Sequence, residues 1–245
     1  VEAVQILREN TNSFDLLYAW LDLARHDQGM GRGFVIAGRS HPPGEAKSAI
    51  AASAYPRLRT EDAWPFPGFN RISLPLINAA YARMSAFTGS RHVGAFDALF
   101  PFANRIRYFQ AYGRRGFVEH QVLVPEAAFP SYAEALKKIL KRHDLVCGLS
   151  ILKLFAGKRH LLWYRGDGVS MAIHLPGGTK AHACLHEVDA LDIEHGAIAN
   201  IIKDARLSGE TVRRQYSGYG AFRRRLHDFD PQRMFVSALS QRLIL

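Results

Sequence analysis

"LSILKLFAGK", residues 149–158, reads as a short buried strand with a lysine in its middle. An unpaired ammonium is expensive to bury, so such a group shifts its pKa or finds an anion. Lys153 therefore either points outward or faces something anionic or electron-rich. The segments around it supply the fold. "VSMAIHLPG" (169–177) is the next strand, and "GFVEHQVLVP" (116–125) alternates well enough for another. Between them "SYAEALKKILKRHD" (131–144) carries Tyr132, Ala135, Leu136, Ile139 and Leu140 at amphipathic-helix spacing. Ser131 and Glu134 form a capping-box pattern at its start. "TKAHACLHEVDALDIEHG" (179–196) is a second helix, stopped by Gly196.

Upstream, "SFDLLYAWLDLAR" (13–25) and "GFVIAG" (33–38) flank the turn-like "DQGMGRG", which predicts a hairpin. Residues 39–70 are rich in Pro, Ser, Ala and Gly and read as a long loop. "LPLINAAYARMSAF" (74–87) has short-helix character, and residues 205–245 are helical with breaks at "SGYG" and "DFDP". The order of elements predicts an α+β fold, an antiparallel sheet covered by helices on one face.

With 245 residues, the chain can bury a sizeable core as one large or two small domains. No apolar run is long enough to span a bilayer, and the start, "VEAVQILREN", is unlike a signal peptide. It also lacks an initiator methionine, as a processed chain or part of a longer one would. Cys147 and Cys184 give no disulfide framework, so a reducing, cytoplasmic compartment is expected. The net charge of +10 favours anionic partners and permits peripheral membrane contact. Basic residues cluster at 113–116, 137–142, 157–160 and 223–225, each read first as solvated surface.

No GxGxxG or GxxxxGK[ST] phosphate cradle is present. His182 and His186 lie one helical turn apart, but Cys184 between them points to the apolar side, so no metal site is expected. Without a recognition-helix motif or an RNP-like strand, no nucleic acid is expected as a partner. Lys203 in "IANIIKDARLS" (198–208) is a second lysine following an apolar run. Two such lysines suggest one cleft that needs fixed positive charge. Equally, each could snorkel to water.

Six stretches, in order, resemble a family: "YAWLDLARHDQGMGRGFVIAG" (18–38), "FPFANRIRYFQAYGRRGFVEHQVLVP" (100–125), "SILKLF" (150–155), "GVSMAIHLP" (168–176), "KDARLSGET" (203–211) and "DPQRMFVSALSQRL" (230–243). They are similar to the C-terminal half of FAD-linked oxidases of the vanillyl-alcohol oxidase superfamily, closest to the decaprenylphosphoryl-ribose 2'-oxidase type. The resemblance implies a substrate-binding (cap) domain over residues 1–198. Residues 199–245 would return to an N-terminal FAD-binding domain that lies outside this chain and holds most of the cofactor. It further implies oxidation of a sugar, sugar lactone or polyol CH–OH group by hydride transfer to flavin.

Residue by residue, the resemblance puts Lys153 at the family's active-site lysine with Phe155 beside it. It puts Lys203 where a lysine reaches flavin and substrate, and it carries Trp20, Ser150, Ser170 and Asn200 into the substrate pocket. Several positions depart from the family. Ser150 and Ser170 stand for asparagine, Ala172 for cysteine, Asn200 and Leu99 or Phe100 for tyrosines, and Ala103 for an acidic residue. Retained lysines with altered neighbours imply flavin-side chemistry with a different substrate, an aldonolactone, alditol or other sugar alcohol being open. A non-catalytic cap-like module recognising an anionic ligand is the alternative.

Overall fold

The computed structural model describes residues 2–24, 31–41, 62–102 and 105–245. The turn at 25–30, most of the loop at 42–61, and Ala103 lie outside the described residues. The strands are β1 (Leu16–Asp22), β2 (Arg32–Gly38), β3 (Phe117–Val124), β4 (Leu149–Phe155), β5 (Gly168–Pro176) and β6 (Ile198–Ala199). They form one sheet in the order β2-β1-β4-β5-β3-β6, and every pair is antiparallel. The expected hairpin is β1–β2, paired from Leu16↔Gly38 to Asp22↔Arg32.

Helices α1 (Glu2–Asn10), α5 (Phe129–Arg142) and α6 (Thr179–Glu194) cover one face of the sheet. Ala19, Leu21, Val122, Val124, Leu152, Met171 and Ile173 point into that layer. They meet Tyr132, Leu136 and Leu140 of α5 and Cys184, Leu185 and Val188 of α6. The architecture is thus the expected α+β one. Period-two burial in strands and period-3.6 burial in helices produce it. Gly196 ends α6 as read from the sequence. Its φ of +63° suits a residue without Cβ, and Ala197 N–H donates back to Asp192 O at 2.8 Å.

The start of α5 differs from expectation. The helix begins at Phe129, ahead of Ser131, and no side chain caps it. Pro130 sits in the first turn, where its missing N–H costs nothing, and the Ser131 hydroxyl donates back to Ala128 O. Ser131 is therefore a first-turn residue and the capping box does not form.

The opposite face is covered only in part. α2 (Ser73–Phe87) crosses its β1–β2 end, while α3 (Ala95–Leu99) and α4 (Ile106–Gln110) follow. Beside α4, Phe69, Leu74, Ala111, Tyr112 and Val146 form a small apolar cluster. At the other end the C-terminal helices α7 (Gly209–Gln215), α8 (Tyr219–Phe229) and α9 (Ala238–Arg242) pack Val212, Tyr216, Tyr219 and Leu243 against Leu123 and Ile198. Helices therefore touch both faces, and the boundary expected at 198/199 falls inside β6. Among the described residues no helix is long and apolar enough to cross a membrane.

Candidate functional site

Between these two covers lies a band of polar side chains. Registry builds it: Lys153 pairs with Ser170, Ala172 with Gln121, and His174 with Glu119. Cross-strand partners share a face. The odd residues of β3 and β4 and the even residues of β5 therefore line up opposite the helix layer.

Lys153 is half-buried, its ammonium 5.8 Å from the centre of the Tyr18 ring. Burial pushes its pKa down, the Lys203 ammonium adds to that, and Glu119 pulls partly the other way. The Lys153 ammonium thus lies within electrostatic reach of both Lys203 and Glu119. Lys203 pairs with Glu119 at 3.5 Å, whereas Lys153 forms no ion pair among the described residues.

Lys203 stands on a turn held at both ends. Asn200 receives two bonds' worth of anchoring from Gln121: its N–H donates to Gln121 O at 2.7 Å and its side-chain amide to Gln121 Oε1 at 2.9 Å. The Asp204 carboxylate then accepts from the N–H groups of Arg206 and Leu207, and Arg242 donates to Asp204 O. A flexible side chain is thus delivered from a fixed backbone.

Glu119 is the hub. Its Oε2 lies 3.5 Å from Lys203 Nζ and 3.6 Å from His174 Nε2. Burial alone would raise its pKa; His174 and Lys203 outweigh that, and the net shift is downward. Behind it, His174 Nδ1 is 2.7 Å from the Tyr108 hydroxyl, which is 2.8 Å from that of Tyr112. Phe117 stacks on the His174 ring at 4.6 Å. A carboxyl with a lowered folded-state pKa stabilises the fold above its ordinary value, about 4.5, and loses that contribution as pH falls through the lowered one. Glu119→Gln is therefore expected to flatten the loss of stability as pH falls below about 4.5, measured by urea midpoints.

The other carried-over residues are placed unevenly. Ser170 faces the band, buried, with its hydroxyl 2.8 Å from that of Tyr164. Phe155 lies two residues beyond Lys153 on the same face, edge-on to Tyr164. Trp20 is on this face too, but buried beneath Phe34 and Tyr81, with ring centroids 5.1 and 5.2 Å away. Ser150 is not brought to the lysines. Three positions from Lys153 on a pleated strand, it points into the helix layer opposite Ile173, fully buried, its hydroxyl without a partner among the described residues. Leu99 and Phe100 are exposed.

Glu119, Gln121, His174, Tyr108 and Tyr164 were not singled out from sequence. The alternation of "GFVEHQVLVP" carried a signal for two of them, since it sets Glu119 and Gln121 on one face.

On the helix face, Cys184 is buried in the core while His182 and His186 are exposed, so the three do not converge. A different trio does: ligand atoms of His120, Asp189 and Asp192 lie within 4.8 Å of one another. The Arg206 guanidinium grips Asp189 with both terminal nitrogens and already occupies the place of a cation.

No protein-family model matches the chain. It is similar to the decaprenylphosphoryl-beta-D-ribose oxidase of Mycolicibacterium smegmatis, with 24% identity over 233 residues that make up 93% of this chain. The chain spans about half the length of that relative (50%). The resemblance read from the sequence thus recurs, over nearly the whole chain, with a curated oxidase.

Proposed function

We propose that this chain is the substrate-binding part of an FAD-dependent oxidoreductase acting on the CH–OH group of a sugar, sugar lactone or polyol. One observation carries the reading: Lys153 and Lys203 face one polar band in which, among the described residues, Glu119 is the carboxylate that acts on both. A half-buried ammonium without its own anion suits an electron-rich ring edge or a developing alkoxide. Similarity to an oxidase over 93% of the chain supports the same class.

The donor set fits a flavin and a polyhydroxylated ligand. Bound flavin would accept the hydride. Lys153 and Lys203 would hold the flavin edge and the reacting oxygen, and Gln121, Asn200 and the Tyr164–Ser170 pair would offer hydrogen bonds to further hydroxyls. Glu119 holds the Lys203 ammonium in position. By the resemblance, residues 199–245, which carry Lys203, would return to an N-terminal FAD-binding domain outside this chain.

The test uses the full-length protein purified from its host. It is expected to carry flavin, and anaerobic addition of a panel of sugars, lactones and alditols should bleach the flavin absorbance with at least one of them. A protein without flavin overturns the reading. It would favour instead a cap-like module that uses the same lysines to hold an anionic ligand.

A further inference from the structure

α2 wears its apolar side outward. Toward the sheet it turns Leu74, the Asn78 amide that donates to Asp22 at 2.6 Å, and Tyr81, which packs on Trp20 and Phe34. Toward solvent it turns Ile72, Leu76, Met84 and Phe87, which are 79%, 66%, 68% and 89% exposed. At about 100° per residue these, with Ile77, make one stripe roughly 140° wide. An ordinary surface helix has the reverse arrangement, so an apolar partner is required on this side.

Charge decides which partner. Residues 71–107 hold five arginines (71, 83, 91, 105, 107) against one acid, Asp97, in a chain of net charge +10. Arg71 is paired with Asp144. Arg83 falls within the apolar stripe, and Arg91 and Arg105 lie near enough to Tyr81 for their field to act on its phenol. A second copy of the chain would set these arginines against themselves. An anionic bilayer accepts both features, acyl chains taking the stripe and headgroups the guanidiniums.

We propose that the outward stripe of α2 docks this protein on the surface of an anionic lipid membrane. The proposal rests on α2 and the arginines around it, and stands apart from the redox reading. Because Tyr81 roofs Trp20, docking would bring the polar band of the sheet alongside the lipid surface.

The test is co-sedimentation of the full-length protein with vesicles of equal parts phosphatidylglycerol and phosphatidylcholine, or of phosphatidylcholine alone. Binding is expected to the first and to fall with added salt. Leu76→Glu with Met84→Glu should weaken it by about tenfold or more, with unchanged circular dichroism and unfolding midpoint. Arg83→Gln should weaken it about fivefold.

Four results would overturn the proposal. The first is no binding to anionic vesicles, and the second is binding indifferent to the double substitution. The third is a concentration-dependent dimer that the double substitution dissolves. A Met84→Cys thiol shielded from maleimide in the lipid-free full-length protein would also overturn it, because α2 would then already be covered.

Discussion

Under the proposed function, Lys153→Ala in the full-length protein is expected to lower turnover of the oxidised substrate by about two to three orders of magnitude. Stability should shift by under about 1 kcal/mol. The split follows from the surroundings of the ammonium. Burial and the Lys203 charge both disfavour it, and no ion pair among the described residues offsets them. Removing it takes nothing from the fold except contact with Tyr18. It would, however, remove a positive charge from the place where negative charge develops during alcohol oxidation. Single-turnover flavin reduction, set beside an unfolding curve, measures both quantities. Unchanged turnover would make Lys153 a strand residue that merely lifts its charge to water, and the proposed site would fail with it.

The second large effect lies on the other face and concerns folding. Asp192 is fully buried, accepts from the Tyr132 hydroxyl at 2.8 Å and from Gln215 at 3.5 Å, and lies 3.3 Å from His120 Nε2. Asp192→Ala strands all three partners and should cost about 3–5 kcal/mol by denaturant titration. Burial, with the Arg206 charge, pushes the His120 pKa down, but the Asp192 and Asp189 carboxylates together outweigh it, so the net shift is upward. The stability that this pair adds is then complete below the ordinary histidine value, about 6.5, and is lost as pH rises through the raised one. Asp192→Asn should abolish that slope. A slope that survives would place its origin in another titrating group.

The strands were legible because alternation and turn chemistry mark them locally. "GFVIAG", "GFVEHQVLVP" and "VSMAIHLPG" each fall on the expected strand. The start of α5 was not, because a proline in the first turn moved it ahead of the best capping residue. At the site, the two lysines stood out as charges in apolar runs. Their partners did not, since Glu119 and His174 look like ordinary strand residues until registry sets them opposite each other. Tyr108 reaches His174 across 66 positions of chain, a contact that no local pattern encodes. Ser150 marks the converse failure. Family position carried it into the pocket, yet its distance of three residues from Lys153 sends it to the other side of the sheet.

That two-sidedness has an evolutionary consequence. Along β3, Glu119 and Gln121 face the polar band while His120 and Val122 face the packed interior, one residue apart. Under the proposed function, a lineage can therefore try new substrates at Gln121 or Ala172 without disturbing the side chains that keep it folded. Variants selected for altered preference should gather at every second residue of these strands, and variants that fail to express should gather in the gaps.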